Sequence, residues 1–243
     1  MINVISSEFY KIFKSKIFYV VSIIFLAMNV ISFATSIKLK TNVLETGFSN
    51  YEQSYSVDAI FYIILIFVAY LIASEYANGS IRQMACHGIA RWKLVVGQYI
   101  AISSVITIIL LCFGALNLLL STILSELGTV NGASFIRMNI GIICMFWAFT
   151  GIGTFLSYLF ENVGSTIIVS ILLVASKDFI VNFLFLLTKN EIFKRYTLTN
   201  MRNTIISFNS KPEEFLECVI IFLLIGLIGI FASSLLFSKK DIS

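Results

Sequence analysis

The residues equipped for polar chemistry cluster in one stretch: Ser74-Glu75-Tyr76-Ala77-Asn78-Gly79-Ser80-Ile81-Arg82, followed by Arg91-Trp92-Lys93. A carboxylate and two guanidiniums suit docking better than bond-breaking, because arginine pairs with carboxylates through a planar two-toothed contact. Glu75 and Arg82 stand seven residues apart, about two helical turns. They share a face only if Gly79 leaves the helix intact, and glycine equally permits a sharp turn. The same charges could instead anchor a loop at lipid headgroups. His87, the one histidine, cannot build a histidine metal site and reads as a solvated or partner-facing polar residue. Lys177 and Asp178 interrupt an apolar run. Adjacent on a helix, they point about 100° apart and do not face each other. Ionisable groups at membrane depth are costly and often functional, so the pair either lines a substrate route or marks the end of a helix near Ser176.

Other chemistry is thin. Cys86, Cys112, Cys144 and Cys218 are scattered with no CxxC, so no disulfide or metal framework is expected. The chain has no GxxxxGK[ST] phosphate loop. A membrane-embedded protease or phosphatase needs clustered acid, base or nucleophile groups, and these are not supplied. A secondary carrier would show inverted repeats with broken helices, and none is visible.

The elements that position these residues are membrane-spanning. Of 243 residues, 58% are hydrophobic and only 12% charged, too much apolar surface for a soluble chain to hide. A spanning helix needs about 20 apolar residues. The runs fall near 17–37, 57–73, 94–120, 135–160, 163–187 (or ending near 176) and 218–237, six spans in a single all-α domain covering 1–243. The first run follows Lys11, Lys14 and Lys16 and resembles a signal peptide, but it is long and its Ala34-Thr35-Ser36 is a weak cleavage-like site, so it reads as retained. Before it, Ile2, Ile5, Phe9, Ile12 and Phe13 recur at helical spacing with Lys11 and Lys14 on the other side, the pattern of an interfacial helix over 1–16. Glu161-Asn162 is a tight break between antiparallel helices.

Lysines and arginines lie between the apolar runs, so the formal charge of +4 points to the membrane surface and not to nucleic acid. Their raw count ties between the two sides. Both terminal flanks and the 74–93 loop are basic, whereas the outer basics are diluted by Glu191, Glu213, Glu214 and Glu217, so both termini are expected in the cytoplasm.

A glutamate, then Gly-Ser-Ile-Arg four residues later, then Arg91 and the opening of a third span resembles the permease subunits of type-2 ABC exporters. The layout over the whole chain resembles that family too. The resemblance implies that 74–93 is the cytoplasmic coupling region, in which Glu75, Tyr76, Gly79, Ser80, Arg82, Arg91 and Trp92 face a separate nucleotide-binding ATPase subunit. It implies no cofactor on this chain, ATP and magnesium being bound by that partner. It implies a second permease chain, identical or related, and a plasma-membrane location. It also implies that 177–214 forms a re-entrant hairpin on the outer side, carrying Lys177 and Asp178; backbone at that depth must be shielded by protein. Among such permeases, small ones without a large outer domain resemble exporters of amphipathic and antimicrobial peptides, including lantibiotic self-immunity systems. Drugs, lipids and polysaccharides remain open as substrates.

Overall fold

A computed structural model describes residues 1–39, 46–81, 90–189 and 195–239. The regular secondary structure among the described residues is all α-helix. The helices are α1 (Ile2–Lys14), α2 (Lys16–Leu39), α3 (Gly47–Ser54), α4 (Ala59–Ala77), α5 (Arg91–Leu124), α6 (Gly132–Phe160), α7 (Val163–Ala175), α8 (Phe179–Thr188), α9 (Leu198–Ile206) and α10 (Pro212–Lys239). Five of them, α2, α4, α5, α6 and α10, are long and apolar enough to cross a membrane, and α7 is a shorter apolar helix.

These long helices are apolar all round, so burial against protein is not needed to keep them out of water. Helix α2 leaves Ile23 and Ile31 exposed, and α10 leaves Leu227, Ile228 and Phe231 exposed. Lipid is the natural neighbour of such faces. The buried core instead follows α4, α5 and α6. Phe61 of α4 lies 4.4 Å, ring to ring, from Phe149 of α6.

Helices α6 and α10 cross backbone to backbone. A Cβ built on Gly151 would come 2.8 Å from the Gly226 carbonyl oxygen, and one on Gly229 would come 2.7 Å from the Gly151 oxygen. Small residues let two helices approach closely where lipid supplies no hydrophobic drive between them. Helix α5 makes room elsewhere. At Gly114 it receives the rings of Tyr51 and Tyr55, and Tyr55 donates to the Leu110 carbonyl at 2.8 Å.

The bundle has two distinct ends. At one, α1 and the start of α5 come together with the C-terminal end of α4, and α5 in turn bonds the C-terminal ends of α6 and α10. At the other, α3 hangs from the loop after α5 through Gly47 N–H to Glu126 O (2.9 Å), and Tyr51 donates to Asn139 Oδ1 of α6 (2.6 Å). Arg137 donates to the carbonyls of Phe208 (3.1 Å) and Ser210 (3.0 Å), holding the turn that leads into α10.

The fifth apolar run is not one helix. Helix α6 stops at Glu161, whose φ of 53° is left-handed, and Asn162 caps α7 by accepting from the Gly164 N–H at 2.9 Å. Helix α7 then ends at Ser176, and Lys177-Asp178 form a turn before α8. Asp178 there accepts from the backbone N–H and the hydroxyl of Thr199, just inside α9.

Candidate functional site at the Glu75 end of the bundle

Helix α1 is amphipathic, but the face it turns inward is not wholly apolar. Ile12 is buried and so is Glu8, while Ile2 and Phe13 are exposed. The helix can lie tight on α5 because Gly97 has no side chain; a Cβ there would come 2.8 Å from Val4. That approach delivers Lys11 to the last turn of α4. Its ammonium sits 2.9 Å from a Glu75 carboxylate oxygen and 2.6 Å from Glu8. The second Glu75 oxygen accepts from Nε2 of buried Gln98 on α5 at 2.6 Å, and Gln98 Oε1 in turn accepts from the Tyr158 hydroxyl of α6 at 2.6 Å.

One carboxylate therefore ties four helices, α1, α4, α5 and α6, through a continuous polar chain. Every step is charge-assisted or buried, and such networks rigidify what they join. Burial works against the charge on Lys11, but Glu75 and Glu8 outweigh it and hold the ammonium pKa above its usual value. Lys11 thus stays charged throughout the physiological range.

Around this chain the aromatic residues close the end of the bundle. Tyr76 packs edge-on against Tyr158 (5.6 Å) and Phe237 (6.4 Å). Arg91 opens α5 and donates to the carbonyls of Phe237 (3.1 Å) and Ser238 (3.0 Å), the unpaired end of α10. A cation at a helix C-terminus satisfies both its hydrogen-bonding and its dipole requirement. Trp92 is half exposed, with the Lys93 ammonium 5.7 Å from its ring centre.

A family model described as "ABC-2 family transporter protein" matches residues 4–177. The chain belongs to the ABC-2 transporter family. The match takes in the whole Glu75 network and ends at the turn carrying Lys177. A search of curated proteins returned no match. Family membership makes this ABC-2 chain a membrane transport component.

The residues singled out from sequence separate into three sets in this ABC-2 protein. Glu75, Tyr76, Arg91 and Trp92 come together at one end. Gly79, at φ 70°, ends the helical path after Ala77, and Ser80 donates back to the Glu75 carbonyl at 3.2 Å. Helix α4 ends at Ala77, and the Glu75 carboxylate is taken by Lys11 and Gln98. Arg82 itself, with Cys86 and His87, lies outside the described residues.

Lys177 and Asp178 stand at the opposite end. Lys177 and Arg202 both pair with Asp58, at the start of α4, while Asp178 holds α9. These contacts pin the turn at 176–178 and α9 to the start of α4. Burial alone would raise the Asp58 pKa, but Lys177 and Arg202 hold it below the ordinary carboxylate range. A depressed folded value adds stability above the unfolded pKa of about 3.9, and that stability is lost as pH falls through the lower folded value. Asp58→Asn should therefore lower the thermal midpoint at pH 7 on the order of 2–4 °C, small because the carboxylate is half exposed. The gap from wild type should narrow as pH falls below about 3.9 and on through the lower folded value. A gap independent of pH in differential scanning fluorimetry would count against the ion pairs.

Lys11, which helical periodicity sets on the outward side of α1, turns instead to Glu75, and Glu8, Gln98, Tyr158, Asp58 and Arg202 join the two sites without any motif to mark them. Glu8 and Lys11 at i, i+3 and one glutamine within an otherwise apolar run were the available signals.

Proposed function

We propose that this chain is the transmembrane permease subunit of an ATP-driven exporter of amphipathic or antimicrobial peptides. In this reading the chain crosses the plasma membrane six times with both termini in the cytoplasm, α7 and the turn after it supplying the fifth crossing. The segment 177–214 then forms the re-entrant element on the outer side. A separate nucleotide-binding subunit binds ATP and magnesium and grips the 74–93 stretch. A second permease chain, identical or related, completes the transport path.

One observation carries most of this. Glu75, at the root of the 74–93 stretch, is bonded to α1 and α5 and through Gln98 to α6. A push delivered to the coupling stretch thus reaches four helices at once, as a power stroke from a soluble motor requires. The apolar faces of α2 and α10 suit a substrate that partitions into lipid before export.

The test is biochemical and genetic. A tagged chain extracted in mild detergent should bring down a nucleotide-binding subunit and raise its ATP hydrolysis. Deleting the chain should sensitise the cells to cationic amphipathic peptides. Extraction without an ATPase, and no stimulation on adding one, would remove the exporter reading. A drug phenotype with no peptide phenotype would remove the substrate reading alone.

A further inference from the structure

At the end of the bundle away from Glu75, α3, α9 and the start of α10 enclose an open cavity of about 760 Å³. It is unlike the rest of this apolar chain. Its walls carry the side-chain amides of Gln53, Asn200, Asn203 and Asn209, several serine hydroxyls, and the two carboxylates Glu52 and Glu214. One lining cation, Arg195, is committed to Glu217 at 2.8 Å, with Glu214 at 4.0 Å. Nearby Arg137 faces away, onto the Phe208 and Ser210 carbonyls and the Phe215 ring.

We propose that this cavity binds a short extended peptide bearing a lysine or arginine side chain. Side-chain amides both donate and accept, which matches the alternating N–H and C=O groups of a peptide backbone. Glu52 and Glu214 supply opposite charge for the basic side chain. Burial pushes the Glu52 pKa up, and the nearby Phe208 backbone and Ser207 hydroxyl offset part of that push in favour of its charged form. The volume is in the range of small-ligand sites, enough for a few residues and not for a folded domain. The inference rests on the peptide-export reading and adds to it a polar docking point for the charged part of an amphipathic substrate, distinct from the lipid-facing helices that would receive its apolar part.

The full chain in nanodiscs of neutral lipid gives the test, with no ATP present, so that binding is read apart from transport. Fluorescently labelled Gly-Lys-Gly-Lys, Gly-Glu-Gly-Glu and maltotriose are the probes. The lysine peptide should bind at least tenfold tighter than the glutamate peptide, and Glu52→Gln with Glu214→Gln should remove most of that preference and its salt dependence. Should the double variant misfold, Glu214→Gln alone, at a partly exposed position, should still reduce the preference severalfold. Equal binding of the two peptides, maltotriose binding as well as the lysine peptide, or an unchanged preference in a folded variant would each overturn the assignment. If any of these were found while ATP-driven peptide export persisted, the cavity assignment would fail and the exporter reading would stand.

Discussion

Glu75→Ala should cut transport at least tenfold while ATP hydrolysis by the partner subunit continues. The variant removes the acceptor of both the Lys11 ammonium and the Gln98 amide, the two bonds that connect α1 and α5 to the end of α4. Leaving a buried donor such as Gln98 Nε2 unsatisfied costs about 1–3 kcal/mol, enough to loosen this end but not to unfold a bundle whose core lies elsewhere. Glu75→Gln separates the two bonds. It keeps the shape and the contact with Gln98 but loses the charge that holds Lys11, so an intermediate loss is expected. Lys11→Ala combined with Glu75→Ala should be no worse than Glu75→Ala alone, the non-additivity expected of two groups in one contact. Vesicle transport measured beside ATPase activity decides the matter. Normal transport by Glu75→Ala would show that the network is only a staple and not part of the drive train.

The largest structural effect should come from Gly151→Leu. The contacts that a side chain would meet at 151 are Gly226 backbone atoms at 2.8 and 2.9 Å, which cannot swing aside as a side chain can. Overpacking of a well-fitted contact costs about 1–3 kcal/mol, and here the remedy is to separate two whole helices. Monodisperse protein should therefore be lost on size-exclusion chromatography. Gly132→Ala is the control, because nothing lies within 4 Å of the added carbon, and it should fold as well as wild type. Equal yields of the two variants would argue that α6 and α10 do not meet as closely as described.

The all-helical class and the presence of long apolar crossings were legible because they depend on composition and run length alone. Five helices of crossing length bear this out. The family was legible from Glu75, Gly79 and Arg91 in their spacing, and the match to residues 4–177 agrees. Partnerships were harder. Glu75 finds Lys11 across 64 positions of sequence, and Asp58 finds Arg202 across 144. Nothing in local periodicity encodes such pairings; they follow from which helices pack side by side. Lys11 was misplaced for a specific reason. A helical wheel sets lysine on the wet side by default, whereas an aliphatic stem lets it cross an apolar edge to reach a carboxylate beneath.

The first turn of α5 and the tail of the chain are hitched together, although 146 positions separate Arg91 from Phe237. Any twist applied just ahead of α5 would tug on the closing helix directly, like a rein, without first travelling through the middle of the bundle.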